Sequence, residues 1–454
     1  MATRRDFLKT AAATGAAASV PYFWSSSHAK ARDANSKPTI ASIGIGGPRA
    51  AYGRGGKMAA AAAAHGQMIA CCDVDELHNE LFNKRYENKL RTYTDYRKLF
   101  EKEKPDVVTI GTPDHWHVPI AIRALKSGAD VYCEKPLTLT IQEGIDICKV
   151  AKECNQVFQV GTQQRSMGRT LLLAIAIVKS GMLGEKVNAH AAIGSGPAGG
   201  PFEPKEVPEG LDWDMWLGPA PKAKFSDQRR RSFRWWLEYS GGKMTDWGAH
   251  HIDIAQWALG YDKSGPVKVT PSGKFPEQIP ENTDWHAVLN GKATLPEAFN
   301  TATEFNVQLQ YENGATLNVH NTFKRDDGVA FGNGILFEGE KGRLFVNRGK
   351  IQGKVIDNMT DTQKEYLHKK VVELYKGKEP TDHMANFFSC LESREEPVSD
   401  VFTHHRTMTS CHLCNISLML GRELKWDPAK ETFGGDKEAA GFISRERRKE
   451  YADI

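Results

Sequence analysis

TIASIGIGGPRAAYGRGG, Thr39 to Gly56, decides the fold. Its first half is a short apolar run that reads as a buried strand, and the run ends in glycines. Gly44-x-Gly46 suits a phosphate-binding turn, because glycines let the backbone turn sharply and approach a pyrophosphate at a helix N-terminus. The third position of that fingerprint is Arg49 in place of Gly or Ala, and the loop carries extra residues. Alone the match is weak, since a plain glycine turn has the same composition. The next strand strengthens it. QMIACCDVD (67–75) ends in acid, and Asp73 stands where the carboxylate that binds an adenosine ribose 2′-hydroxyl belongs. A carboxylate there repels the extra phosphate of NADP, so NAD is the expected cofactor. Asp75 is the alternative if the strand runs longer.

Outward from this stretch the chain alternates strand and helix. PDVVTIGTP (105–113), ADVYCEKP (129–136) and QVFQVG (156–161) read as short buried strands. The Ala-rich 58–64, HVPIAIRALKSG (117–128) and TIQEGIDICKVAKECN (140–155) read as helices, the last opening with a capping box of Thr140 and Glu143. Such alternation predicts a parallel, doubly wound α/β sheet over 38–161. The pattern then changes. FNVQLQY (305–311) sets Phe305, Val307, Leu309 and Tyr311 on one face, and Asn313-Gly314 turns the chain into ATLNVHN (315–321). GILFEGEKGRLFVNRG (334–349) reads as a second hairpin. The expectation is an α+β domain on a mainly antiparallel sheet over 162–380, with a helical segment and tail at 381–454 packing back on the core.

The N-terminus reads as an address. Thr3 to Lys9, TRRDFLK, has the twin-arginine pattern, an Ala-rich run follows to Trp24, and Ser27-His28-Ala29 offers a small-residue cleavage site. Residues 1–29 are therefore expected to be a removable signal for the twin-arginine export machinery, which carries folded cargo to the periplasm or otherwise out of the cytoplasm. No later run approaches the roughly eighteen apolar residues of a membrane span, so no membrane anchor is expected. The formal net charge is +4, of which Arg4, Arg5 and Lys9 against Asp6 account for +2. A near-neutral mature chain argues against nucleic-acid partners. The cluster Arg229-Arg230-Arg231, Arg234 and Trp235-Trp236 reads as a solvated loop or a small-ligand rim. Eight cysteines in 454 residues make no disulfide framework, and Cys411 and Cys414 lie in an apolar helical run as small core residues.

Two further constellations can carry chemistry. Cys133-Glu134-Lys135-Pro136 falls at the C-terminal end of a strand, where ligands of open α/β sheets bind. In SGGKMTDWGAHHIDIAQWALG (240–260), Asp246 and His250 are four apart, and His250 and Asp253 three apart, on one helical face. A histidine held by a carboxylate is a good acceptor of an alcohol proton. His251 points about 100° away, and no third ligand is convincingly spaced, so no metal site is expected.

Together, the glycine turn, Glu-Lys-Pro and Asp-x-x-x-His resemble the glucose–fructose oxidoreductase, inositol dehydrogenase and rhizopine-type (Gfo/Idh/MocA) family, from about Thr39 to Tyr451. LDWDMWLGPAP (211–221), TPDHWH (112–117) and LKWDP with Gly435-Asp436 look like its exported bacterial branch. The resemblance implies an N-terminal Rossmann domain, a C-terminal domain on an open sheet, and a nicotinamide between them. It implies that Lys135 touches cofactor and substrate hydroxyl, Glu134 the cofactor ribose, that Asp246 binds substrate or orients the base, and that His250 takes the hydroxyl proton. Gly44, Gly46, Gly47, Arg49, Asp73, Thr112, Pro113, His117 and Gln163 are the remaining expected cofactor contacts, with His115 beside the nicotinamide and Arg165 in the pocket. A dimer or tetramer through the open sheet face is implied as well. The expected activity is NAD-dependent oxidation of a sugar, glycoside or polyol. Since no NAD pool exists outside the cytoplasmic membrane, the cofactor should be loaded before export and reset in place. The alternative is an NAD-dependent glycoside hydrolase working by transient oxidation, elimination and re-reduction. A non-catalytic sugar-binding protein is a third reading.

Overall fold

The computed structural model describes residues 37–50, 53–325 and 327–452. The signal segment therefore lies outside the described residues, as do positions 51 and 52 of the glycine loop. Strands β1 (Thr39–Ile43), β2 (Gln67–Cys72), β3 (Arg91–Tyr93), β4 (Val107–Ile110), β5 (Asp130–Cys133) and β6 (Phe158–Val160) form one sheet in the order β3-β2-β1-β4-β5-β6. Every neighbouring pair runs parallel. β4 and β5 are buried throughout, as continuous apolar strands covered on both faces must be. The order reverses between β1 and β4, which opens a crevice at the strands' C-terminal ends. β3 is a three-residue edge strand, largely exposed and without an apolar run, so the sequence pattern does not announce it.

The glycine turn is built as its residues require. Gly44 and Gly46 have φ of +73° and +63°, in the left-handed region. A Cβ on Gly55 would fall 1.9 Å from the Gly44 carbonyl oxygen, so the Arg54–Ala63 helix packs directly on the strand end. One local expectation is corrected at the Ile141–Cys154 helix. Thr140 caps it by accepting from the Glu143 N–H, but the Glu143 carboxylate accepts from Leu139 N–H at 2.7 Å. The capping box is half formed because the chain enters with Leu139, not Thr140, offering its amide.

The second sheet orders Ile351–Gln352, Gly342–Val346, Gly334–Gly339, Val187–Ala192, Thr316–His320, Glu304–Gln310, Lys268–Thr270 and Leu424–Lys425, with Gly273–Lys274 beside Glu304–Gln310. It is mixed. Val187–Ala192 runs parallel to Thr316–His320, and the other pairs are antiparallel. Phe305, Val307, Leu309 and Tyr311 are all buried, as their alternation predicts, in a core shared with the Leu173–Lys179, Gly248–Ala258 and Val401–Leu420 helices. Between their buried positions, Glu304, Asn306 and Gln308 are exposed, so the other face is open.

The last sixth of the chain returns to both sheets. The His383–Ser393 helix lays Met384, Phe387, Phe388 and Leu391 against Ile40, Met68 and Tyr132 of the first sheet. Val401–Leu420 packs on both the Ile141–Cys154 and the Gly248–Ala258 helices. Cys411 and Cys414 are buried in it, and burial pushes both thiols up, away from thiolate chemistry.

Candidate active site

A cleft of about 560 Å³ lies where β1, β2, β4 and β5 end. The volume suits a cofactor with part of a substrate. Across from the strand ends it is walled by Trp216, Phe233, Arg234, Trp247, His250 and Arg348.

At the β2 end Asp73 lines the cleft, and its carboxylate accepts from Gly46 N–H at 2.9 Å and Asp75 N–H at 3.1 Å. Asp73 thus braces the glycine turn while presenting charge to the cleft. Asp75 is otherwise engaged: fully buried, it caps the next helix through Leu77 N–H and pairs with Arg230 at 2.6 Å. Gly44, Gly46, Thr112, Pro113, His117, Glu134, Lys135 and Gln163 line the cleft. Two expected contacts do not. Arg49 turns away to donate to the Glu209 carbonyl at 3.1 Å, drawn by Asp75 behind the loop. Gly47 backs onto His78, where a Cβ would sit 2.4 Å from the ring. Arg54, unforeseen from sequence, takes the place expected of Arg49, and its Nε donates to Glu134 at 2.8 Å.

Glu134 and Lys135 leave β5 in opposite directions. Glu134 meets Arg54 and lies 3.4 Å from the Gln163 amide. Lys135 Nζ reaches the second domain, donating to Asp246 Oδ1 at 2.6 Å and to the Asp246 backbone carbonyl at 2.9 Å. The second bond exists because the expected continuous helix is broken. One helix ends at Asp246, another begins at Gly248, and His250 N–H bonds the Trp247 carbonyl at 3.0 Å. The Asp246 carbonyl is therefore outside the helical ladder and available to Lys135. Burial would raise the Asp246 carboxyl, but Lys135 and then Arg234 hold it down to about 2. The carboxylate is fully ionised.

His250 is buried at the cleft wall, and no hydrogen bond joins it to Asp246 among the described residues. Its Nδ1 has no partner there. The expected carboxylate-held histidine is thus corrected: Asp246 belongs to Lys135, and Asp253 pairs bidentately with Arg165 at 2.6 and 2.8 Å. The same pair withdraws Arg165 into the core, over the Trp257 ring. Burial first, and the charges of Lys135 and Arg348 next, hold His250 well below its ordinary pKa, so it is a neutral imidazole. His117 faces two acceptors, the Pro136 carbonyl at 2.7 Å and the Thr112 carbonyl at 2.9 Å, and so ties the two strand-end loops together. His115 lies behind the wall, against Trp116, Trp216 and Tyr239. Asp114 was not anticipated. It is a buried cleft carboxyl that accepts from Ser240 Oγ, and burial pushes it up to about 7 against the pull of Arg234.

The donors fit a nicotinamide dinucleotide. A glycine turn, its Gly44 N–H on the Cys72 carbonyl and its Gly46 N–H on Asp73, meets a helix N-terminus at the cleft, and a strand-end carboxylate stands beside it. Among the described residues no group of three or more His, Cys, Asp or Glu could hold a metal ion.

Comparison with known proteins agrees. The sequence matches the NAD-binding Rossmann fold of an oxidoreductase family over residues 39–162, and that family's C-terminal alpha/beta domain over 177–326 and 300–453. Residues 1–21 match the twin-arginine translocation signal. Among the described residues no helix is long and apolar enough to cross a membrane. An alpha-N-acetylgalactosaminidase of Shewanella oneidensis is 35% identical over 101 residues, 21% of each chain. A glycosyl hydrolase family 109 protein of Shewanella putrefaciens matches to the same extent, so the alignment spans about a fifth of these relatives' length. The WlbA dehydrogenase of Bordetella pertussis, solved with NADH and UDP-GlcNAcA, superposes with a TM-score of 0.59 at 17% identity, covering 87% of this chain and 99% of that one. Myo-inositol 2-dehydrogenase of Lactobacillus plantarum gives 0.54 at 18%, covering 86% and 99%. At such identities the likeness is one of fold.

Proposed function

We propose, for a chain that belongs to the Gfo/Idh/MocA oxidoreductase family and carries its NAD-binding Rossmann domain, an NAD-dependent oxidation of a carbinol carbon in a sugar, glycoside or polyol. The observation that carries this reading is Lys135, held by the Oδ1 and the backbone carbonyl of Asp246 next to a neutral, buried His250 on the cleft wall. When bound, NAD supplies the hydride acceptor. Lys135 donates a hydrogen bond to the substrate oxygen and holds it in place. His250 accepts the hydroxyl proton, a task for which an uncharged imidazole is ready. Asp246 keeps Lys135 extended across the cleft. Asp73 would hold the adenosine end of that cofactor, and Glu134 its nicotinamide ribose. Export by the twin-arginine route supports a cofactor loaded before translocation and retained. His250→Ala and Lys135→Ala, assayed on an identified substrate with cofactor content matched, test the assignment; near-wild-type turnover in both rules it out.

A second reading is favoured by Asp114. A glycosidase that oxidises, eliminates and re-reduces needs an additional acid for the leaving group, and a buried carboxyl titrating near 7 can serve. The short match to alpha-N-acetylgalactosaminidase supports the same direction. Aglycone released without net reduced cofactor favours the hydrolase; accumulating NADH favours the dehydrogenase. A protein that only binds sugar would show neither.

A further inference from the structure

Arg348 follows the Gly342–Val346 strand and enters the cleft from the second sheet. Its guanidinium stacks on Trp247, 4.9 Å from the ring centroid. The buried Gln164 amide fixes it further, accepting from Arg348 Nε at 3.2 Å in the orientation in which its nitrogen donates to the His250 carbonyl at 3.0 Å. Arg348 forms no ion pair with a described carboxylate. The acids nearest it are already engaged: Glu134 by Arg54 at 2.8 Å, and Asp246 by Lys135 at 2.6 Å and Arg234 at 3.4 Å. Four cations, Arg54, Lys135, Arg234 and Arg348, therefore stand against two carboxylates, Glu134 and Asp246, at this end of the cleft, and burial raises Asp114 to about 7. Such a field gathers anions. A guanidinium held by its Nε and one ring face still offers a planar fork of N–H donors, the geometry that matches carboxylate, sulfate and phosphate.

We infer that the substrate of this cleft carries an anionic group, as in a sugar acid or a sulfated or phosphorylated sugar, and that Arg348, presented on Trp247, receives it. This rests on the carbohydrate-oxidoreductase reading above. The other source of the same chemistry is the pyrophosphate of the cofactor, because Arg54 of the glycine-turn helix also bears on Arg348.

The test uses cofactor-loaded wild type, Arg348→Ala and Arg348→Lys. Each is titrated by calorimetry with methyl glucuronide, methyl glucoside and sodium sulfate, and bound NAD is counted by mass spectrometry. The two glycosides differ only at C6, a carboxylate in one and a hydroxymethyl in the other. Wild type should prefer the glucuronide by about tenfold or more, the scale of one charged hydrogen bond. Arg348→Ala should abolish the preference, Arg348→Lys should keep part of it, and NAD content should be unchanged in both. Equal affinity for the two glycosides in wild type, or a preference that survives in Arg348→Ala, overturns the inference while leaving the oxidoreductase reading standing. Loss of NAD from Arg348→Ala also overturns it, assigning the anion to the cofactor. If neither glycoside binds wild type, the glucose frame is excluded and the carbohydrate reading stands on other sugars. The sulfate titration then decides: weakening in Arg348→Ala supports the anion site, and indifference to the substitution overturns it.

Discussion

Lys135 and His250 divide the proposed chemistry between a fixed cation and a buried neutral base. Removing either should lower kcat/KM by about 10²–10⁴-fold, the usual worth of a positioned acid or base, measured at matched cofactor content. The pH profile follows from burial. His250 is held well below 6.5, so the acid limb of kcat/KM should also lie below 6.5. A limb at or above that value contradicts a desolvated imidazole. Lys135 was legible in the sequence because Glu-Lys-Pro closes a strand at the end where ligands bind. The pairing of Lys135 with the Asp246 carbonyl was not, since it depends on a helix break that i, i+4 spacing does not reveal. Arg54, Arg348 and Asp114 were equally hidden. They stand on loops or at element ends, where no periodicity separates a ligand-facing side chain from a solvated one.

Among the elements, the Val401–Leu420 helix does most to align the two halves of the site. His412 Nε2 meets Thr138 Oγ1 at 2.9 Å, just beyond Lys135, and Asn415 donates to the Gly241 carbonyl at 2.9 Å, ahead of Asp246. Thr407 donates to Asp253 at 2.8 Å. We predict that His412→Ala lowers kcat with little change in KM, and that His412→Asn restores part of it. A purely structural role would lower stability and leave kcat of the folded fraction intact. Asp253→Ala should be worse for stability. It strands the Arg165 guanidinium, which is 2% exposed, and should cost about 3–5 kcal/mol in urea unfolding. Elements with strong periodicity, such as Glu304–Gln310, were readable residue by residue. β3 was not, because an edge strand of three polar-leaning residues carries no alternation to detect.

For the molecule as a whole, acid should be destabilising well above the carboxylate range. Burial holds His115, His251 and His383 down to about 4 and His412 to about 3. Each binds a proton more readily in the unfolded chain, so its contribution is complete above 6.5 and is lost as pH falls below that. Asp114, raised to about 7, acts in the opposite sense between 3.8 and 7, but these histidines outnumber it. The melting temperature should therefore be lower at pH 5 than at pH 7.5; a flat profile would contradict the neutral-histidine core. The open face of the second sheet leads us to propose a homo-oligomer, a dimer or tetramer, which light scattering would read directly. We propose a folded enzyme exported with NAD already in its cleft. Protein purified from the exported fraction, denatured and analysed by mass spectrometry, should release about one NAD or NADH per chain. Release of no nicotinamide dinucleotide would contradict the account.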